Sequence, residues 1–328
     1  RVRRAVRKHW RLLLAAAICL LSLVGGATAS SWQALRATRA ETEVRVIAER
    51  MEAERDRARL ALTQQIAERL DGDLRRLAMA GQVLAATLGQ RTDFQESHLE
   101  AWMRTILDQD ERIFGMSLAF EPGQFDPTRD DYCLYVYRGP NAVEKKLLLP
   151  PDYMPLYRDW EWYRKPMQEQ RARWSDPYID TGGGEIPMVT YSAPFHRAGR
   201  PAGVLTIDLS VQYFEVLRGW LKELHLGKNS YGFVLSSTGV IVSHPHPDYD
   251  FARIGRSGKR PPIITELSGA DSSFAALSHQ FQEVSTGSGV ATDPFTGKPA
   301  TFLFAPVPSA DWIFVAAIED AVANVGTK

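Results

Sequence analysis

Cysteine and net charge are both low in this sequence. Only Cys19 and Cys133 occur among 328 residues, which excludes the disulfide framework that stabilises many small secreted domains. Lys plus Arg and Asp plus Glu are equal at 39 each, so the whole chain has no field that would attract nucleic acid or an acidic substrate. We therefore expect no nucleic-acid partner.

Motifs that carry catalysis are also absent. There is no nucleophile elbow, P-loop, zinc-binding cysteine pattern or HExxH helix, and the glycine run at 182–184 lacks the Lys and Ser/Thr of a P-loop. That run predicts a hairpin loop. His244 and His246 have a spacing that suits a metal site, but Pro245 and Pro247 interrupt the strand and no third ligand is evident. We expect no catalytic residue, no metal and no cofactor, and the chain is not predicted to be an enzyme.

The first residues combine a basic flank with an apolar run. Arg and Lys crowd residues 1–11 with no acid among them, and residues 12–31 are uncharged. A helix from Trp10 to Trp32 would extend roughly 33 Å, which matches a hydrocarbon core of about 30 Å. The flank predicts that residues 1–11 are cytoplasmic, that 12–31 span the inner membrane, and that 32–328 are extracytoplasmic or periplasmic. An A-x-A pattern at 27–29 leaves a cleaved signal peptide as the alternative.

A long amphipathic helix is predicted after the span. Apolar residues between 44 and 88 recur at steps of three and four without proline, which is typical of a helix with one apolar stripe. We expect residues 32–90 to form a stalk that pairs with a second copy over 44–70, because the stripe cannot stay in water. In the alternative, the second half of the helix packs only on its own domain.

Short strands replace this pattern after residue 94, separated by Pro, Gly and Asp. The predicted strands form two groups: 113–120, 132–137, 146–149, 188–195 and 203–209, then 231–236, 240–244, 300–307 and 312–318. A connecting helix is expected at 211–227, and another within 263–277. The sequence therefore predicts an α+β fold with lobes at 91–210 and 228–320, followed by the start of a further helix at 321–328.

One region is dense in aromatic rings and carboxylates. Residues 160–178 contain three Trp and two Tyr residues, interleaved with Asp, which is more than a core needs. The alternative is an aromatic mini-core under a long loop. In the strand at 204–209, Thr206 and Asp208 share one face and the apolar residues share the other. Because an unpaired carboxylate is costly to bury, this face is predicted to line a cavity.

Several segments resemble the double Cache family of extracytoplasmic sensors. They are residues 162–163, 174–180, 188–194, 203–209, and 302–309 with Trp312. The resemblance covers residues 37–318 and implies a long helix carrying a membrane-distal and a membrane-proximal PAS-like lobe of antiparallel sheet. It also implies a small molecule in the distal lobe and a second spanning helix. Residues 181–185 and 305–309 are most similar to the sensor regions of sporulation-type serine/threonine phosphatases.

Amino-acid sensors of this family share a motif of Arg, one residue and Trp-Tyr, then Tyr, one residue and Asp, then a later Asp. The resemblance implies six ligand-binding residues: Trp160, Trp162, Tyr163, Tyr178, Asp180 and Asp208. Trp160 replaces the Arg that binds a ligand carboxylate, and the upstream Tyr of the motif falls on Pro155. We therefore predict a small organic cation or amine as the ligand. An amino acid is the alternative, if Arg158 or Arg164 turns inward.

Together these features predict the sensing region of a membrane-anchored signal transducer. Ligand binding would be relayed through a homodimeric stalk to a cytoplasmic output domain outside this sequence, such as a phosphatase or a histidine kinase. The alternative is a module that binds no small molecule and responds to a periplasmic partner protein. An extracytoplasmic hydrolase is disfavoured, because no pair of nucleophile and base is evident.

Overall fold

The computed structural model describes residues 2–90, 93, 95–214, 229–249, 251–255, 260–267, 272–281, 283 and 285–319. The chain divides into two compact units, residues 1–58 and 59–328. Most of the predicted connecting helix at 211–227 lies outside the described residues, and its start is a short 3-10 helix, Val211–Phe214. The predicted segment 321–328 lies wholly outside them.

The first unit consists of the N-terminal part of helix α1 (Val2–Gln90). Its described side chains are exposed, including Val44, Ile47 and Met51 at 66%, 60% and 63%. In the part of the chain that the structure describes, no helix is both long and apolar enough to cross a membrane. The side chains of residues 11–13, 24 and 27–30 lie outside that part, so the spanning segment at 12–31 stays a prediction.

The second unit begins with the remainder of α1, one stripe of which is buried. The stripe consists of Ile66, Leu70, Leu74, Leu77, Leu84 and Leu88. A Cβ at Gly81 would lie 3.0 Å from a methyl group of Ile207, so the glycine allows α1 to pack closely on the first sheet. The predicted pairing with a second copy therefore does not extend to Ile66 and Leu70, because these side chains already pack inside their own unit.

The first sheet contains seven antiparallel strands in the order β3-β2-β1-β7-β6-β4, with β5 also paired to β6. The strands are β1 (Ile113–Phe120), β2 (Tyr132–Arg138), β3 (Val143–Leu147), β4 (Arg173–Trp174), β5 (Tyr178–Ile179), β6 (Pro187–Arg197) and β7 (Arg200–Ser210). Helices α1 and α2 (Glu96–Gln109) cover the face on which Leu205 and Ile207 are buried. The loop at 148–160 and helix α3 (Glu161–Glu169) cover the other face.

The second sheet contains five antiparallel strands in the order β10-β11-β12-β8-β9. Its elements are β8 (Ser230–Leu235), β9 (Ile241–Ser243), α4 (Phe251–Ile254), α5 (Ser272–Phe281), β10 (Gly287–Thr292), β11 (Pro299–Val307) and β12 (Trp312–Ile318). Phe274 of α5 packs on Phe302, with 5.3 Å between ring centroids. On the other face, the ring of Trp312 lies 6.0 Å from that of Trp174, so the two lobes share one core.

The predicted α+β fold is confirmed. Strands β1 and β12 have the predicted bounds, and the other predicted strands differ by a few residues at their ends. Helices α2, α3 and α4 and strands β4, β5 and β10 were not predicted. The start of α2 has no side-chain cap that would mark it, and β10 contains two glycines, which are rare in strands.

Candidate ligand-binding site

The polar face of the first sheet carries buried hydroxyl and carboxyl groups. Thr190 of β6 is opposite Asp208 of β7, and Ser192 is opposite Thr206; side chains two residues apart in a strand point the same way. All four side chains belong to residues that are 3% exposed or less. Helix α3 and the loop before it cover them, because α3 packs against β6 and β7 on this side of the sheet. The polar face is therefore enclosed within the first lobe.

Asp180 is held in the turn that connects β5 to β6. Its carboxylate accepts hydrogen bonds from the Tyr153 hydroxyl and the Gly184 backbone N–H, each at 2.8 Å. Burial raises the pKa of Asp180, and these hydrogen bonds, with the Lys146 ammonium, offset part of the rise. A Cβ at Gly183 would overlap the Asp180 carboxylate, so a larger residue at this position would displace that side chain. The glycine run is thus the predicted hairpin loop, and it also encloses the carboxylate.

Asp208 lies within β7, behind a chain of hydroxyl groups. The Thr190 hydroxyl donates to Asp208 Oδ1 at 2.8 Å, and the Tyr178 hydroxyl lies 2.8 Å from the Thr190 oxygen. Burial, and then the negative charge of Asp180, raise the pKa of Asp208 from its usual 3.8 to about 8. At pH 7 the carboxyl group is therefore mostly protonated, and a cation brought close to it would favour the ionised form.

The two carboxyl groups have no cationic side chain bonded to them. Within the described residues, neither Asp180 nor Asp208 forms an ion pair with Lys or Arg, and their hydrogen bonds come from hydroxyl and backbone groups. Lys146 donates to the carbonyl oxygens of Gly182, at 2.9 Å, and Gly183. The buried hydroxyl of Tyr135 lies near both acids, because their charges add to burial in raising its pKa. The site is acidic, enclosed and short of positive charge.

Three of the predicted residues line a cavity outside these acids. Trp160, Trp162 and Tyr178, with residues 175–177, surround about 250 Å³. The Trp160 ring stacks on Tyr153, with 5.3 Å between centroids, and lies 6.0 Å from the Tyr178 ring. Since the Tyr178 hydroxyl reaches the Thr190–Asp208 pair, the carboxyl groups lie one side chain deeper than the cavity.

Tyr163 is the predicted site residue that faces away from this cavity. Its hydroxyl donates to Glu121, and its ring meets Tyr157 edge-on at 5.3 Å. Trp162 has two roles, because it lines the cavity while its indole N–H donates to the Tyr153 hydroxyl at 3.2 Å. An aromatic mini-core beneath the loop therefore exists, and the cavity lies at its edge.

Tyr153 and Thr190 belong to the site but were not identified from the sequence. Thr190 alternates with apolar residues along β6 as Asp208 does along β7, so the same alternation would have found it. Tyr153 lies two residues before Pro155, the position at which the family motif has a Tyr. A shift of two residues in the comparison would have identified it.

A larger cavity of about 570 Å³ lies along α1 and α2, away from the acids. Met79, Val83 and Trp102 contribute most of an apolar lining, in which Arg76 is the charged group. It lacks the converging polar groups that orient a small charged ligand. The smaller cavity beside Tyr178 is therefore the candidate ligand site.

Comparisons with known proteins find sequence similarity between this lobe and bacterial sensor domains. Residues 99–215 match the family described as methyl-accepting chemotaxis protein-like, first PDC sensor domain. The methyl-accepting chemotaxis protein PctB of Pseudomonas aeruginosa is 31% identical over 100 residues. That segment is 30% of this chain but 15% of PctB, so it represents a small part of the relative's length.

Solved structures share the fold over most of the chain. The extracellular domain of mmHK1S-Z3, described as a histidine kinase, has a TM-score of 0.69 at 20% identity and covers 83% of this chain and 98% of its own. The periplasmic sensory domain of Campylobacter jejuni chemoreceptor Tlp1 has a TM-score of 0.63 at 11% identity, and the match covers 82% of this chain and 96% of that domain. The PctB ligand-binding domain in complex with L-Arg has a TM-score of 0.54 at 19% identity, and the match covers 80% of this chain and 87% of that domain. Two of these structures are described as a sensory domain and a ligand-binding domain, which is consistent with the prediction that this chain is not an enzyme. The chain has the fold of these extracellular domains of chemoreceptors and histidine kinases, and its residues 99–215 match the PDC sensor-domain family.

Proposed function

We propose that this chain is the extracytoplasmic sensing region of a membrane-anchored signal transducer, and that its first lobe binds a small molecule through an ammonium group. One observation carries the proposal: Asp180 and Asp208 are buried near each other with no ion-paired Lys or Arg among the described residues. Two such buried acids cannot both be ionised without a cation, and near neutral pH Asp208 therefore holds a proton in the ligand-free protein. A cationic ligand would supply the charge that the protein does not.

The aromatic wall of the cavity supports a cationic ligand. The rings of Trp160, Trp162 and Tyr178 line it, and a desolvated cation gains about 0.5–2 kcal/mol from each ring face that it contacts. The cavity of about 250 Å³ is smaller than the roughly 300–1,000 Å³ of sites for drug-sized molecules. The ligand is therefore expected to have few heavy atoms.

Two classes of ligand satisfy this chemistry. A primary or methylated amine needs only the acids and the rings, and it is the class that the sequence predicts. An amino acid is the second candidate, and it is favoured by the similarity to PctB, whose ligand-binding domain has been solved with L-Arg and with L-Gln. Both classes present an ammonium group, and they differ in the carboxylate.

The cavity wall also contacts the second lobe, which offers a route for the signal. Asp176 lines the cavity and accepts a hydrogen bond of 2.9 Å from the Thr238 hydroxyl of the second lobe. Trp174 packs against Trp312, and Arg171 pairs with Asp311 at 3.3 Å. A ligand that reshapes this wall would alter these contacts and so shift the arrangement of the two lobes.

The membrane anchor, the stalk homodimer and the output domain belong to the same proposal. The exposed apolar side chains at Val44, Ile47 and Met51 support pairing of the stalk with a second copy, since such a stripe is unfavourable in water. Histidine kinases and chemoreceptors are the outputs of the structural relatives, and the predicted likeness to phosphatase sensors adds a third. The sequence that follows residue 328 in the reading frame identifies the output.

Thermal unfolding and calorimetry of the purified full chain test ligand binding. Ethylamine, putrescine and choline should raise the unfolding temperature, by the equivalent of about 2.7 kcal/mol at a hundred times Kd. The double variant Asp180→Asn/Asp208→Asn should lose this response, whereas Asp159→Asn, an exposed position nearby, should keep it. If no amine or amino acid stabilises the chain, a ligand-free module that senses a periplasmic partner protein becomes the better description.

A further inference from the structure

A second polar row lies on the same face of the sheet as Asp208. Ser192 and Thr206 are paired across β6 and β7, two residues and about 6.7 Å along from the Thr190–Asp208 pair. Arg173 of β4 is paired with Ser192, which places it on this face at the edge of the sheet. The face therefore has a negative pole at Asp208 and a positive pole at Arg173.

The side chain of Arg173 is mostly buried. Its side chain is 17% exposed, and its Nη1 pairs with the Glu169 carboxylate at the end of α3. The Arg173 Nε and the Ser192 Oγ are both buried without a hydrogen-bond partner among the described residues. Buried polar atoms are normally paired, because leaving one unpaired costs more than a hydrogen bond gains. Both atoms can donate to a ligand oxygen.

These two side chains line a narrow cleft beside the candidate site. The cleft and the cavity share Glu161, Trp162 and Ser175 as walls, so the two spaces adjoin. The Glu161 carboxylate is paired with Lys165, which also lines the cleft. Its free space of about 10 Å³ is about the room that one water oxygen needs. A ligand in the cavity could thus place one oxygen between Arg173 and Ser192.

The arginines that the sequence offers in place of the family's carboxylate-binding Arg are directed elsewhere. Arg158 pairs with Asp131 at 2.7 Å and donates to the Asp130 carbonyl oxygen. Arg164 is exposed. Arg173 is the arginine that the fold brings to the wall of the site, and it comes from a neighbouring strand.

We infer that Arg173 and Ser192 form the anion-binding side of the ligand site. The ligand is then a zwitterion whose carboxylate is close to its ammonium group, as in an α-amino acid, and not a simple amine. The Arg173 Nε and the Ser192 hydroxyl donate to the carboxylate, while Asp180 and Asp208 lie on the ammonium side. This inference rests on the proposed function, because it requires an ammonium group bound near the two acids.

Matched ligands and matched variants measure the contribution of the ligand carboxylate to binding. Calorimetry compares the standard L-amino acids with their decarboxylated amines, such as arginine with agmatine, on the full chain as wild type, Arg173→Met and Arg171→Met. Arg171 is the control, because it pairs with the same Glu169 carboxylate from an exposed position. Arg173→Met should weaken amino-acid binding about ten- to a hundredfold and change amine binding less than about threefold. Arg173→Lys should recover only part of the loss, because lysine has no Nε donor in the fork geometry.

Each contrary outcome has a distinct meaning. If amines bind wild type as tightly as the matched amino acids, or Arg173→Met weakens both classes alike, the inference is overturned and the proposed function stands. If Arg171→Met loses as much amino-acid affinity as Arg173→Met, the effect arises from the anchoring of α3 through Glu169, and the inference is also overturned. If neither class binds, the proposed function fails together with the inference.

Discussion

Replacing Asp208 with asparagine should make the protein more stable while it removes the response to cations. Asparagine keeps the shape of the side chain and the oxygen that accepts the Thr190 hydroxyl, at 2.8 Å in wild type. The substitution removes the negative charge, and the side chain no longer gains or loses a proton. Because the pKa of Asp208 is raised from 3.8 to about 8 in the folded protein, the native state holds a proton that the unfolded chain loses above pH 4.

This raised pKa makes wild type less stable as the pH increases. Between about pH 4 and pH 8 the native state binds more protons than the unfolded state, so the free energy of unfolding falls by about 1.4 kcal/mol per pH unit from this group. Asp208→Asn does not titrate there. The variant should therefore be more stable than wild type by up to about 4 kcal/mol at pH 7, and by almost nothing at pH 4.

Urea unfolding of wild type and of Asp208→Asn between pH 4 and pH 8 measures the difference in their free energies of unfolding. The other titrating groups are the same in both proteins, so their contributions cancel. Asp159→Asn, at an exposed position, is the control and should follow wild type at every pH. A variant that is less stable than wild type at pH 7, or a difference that does not grow with pH, would refute the assignment of Asp208 as a buried acid with a raised pKa.

Cation binding should strengthen with pH in the same range. A bound cation favours the ionised form of Asp208, so binding releases a proton below pH 8, and the affinity for choline should rise by up to about tenfold per pH unit. Asp208→Asn should bind weakly and without this slope. An affinity within about twofold of wild type, under 0.5 kcal/mol, would remove Asp208 from the site.

Further predictions concern the turn, the stalk and the topology. Tyr153→Phe removes a donor to Asp180 and should lower the free energy of unfolding by about 1–2 kcal/mol in urea; an unchanged value would show that this hydrogen bond does not hold the turn. A cysteine at Met51 should crosslink between chains faster than one at Glu49, and equal rates would exclude pairing through the apolar stripe. Alkaline phosphatase fused after Ile318 should be active, whereas activity of a cytoplasmic reporter alone would contradict the predicted orientation.

The sequence by itself predicted five of the seven strands of the first sheet and, for the strand at 204–209, the direction of the side chains. The alternation at 204–209 predicts that Thr206 and Asp208 share a face opposite the apolar residues, and the structure has this arrangement. Such a prediction succeeds because side-chain direction in a strand depends only on the local period of the backbone. Tyr178 and Asp180 lie near each other for a similar reason, since they are two residues apart on the segment that enters one short turn.

Tertiary structure alone decided which charged groups meet and which apolar stripe is covered. Arg173 shares a face with Asp208 only because β4 pairs with β6 across the intervening β5 and glycine loop, in a register that places Arg173 opposite Ser192. The apolar stripe of α1 has the same helical period at Met51 as at Ile66, so periodicity cannot say what covers it. The sheet buries Ile66, whereas Met51 remains exposed, because packing depends on which other segment reaches each turn of the helix.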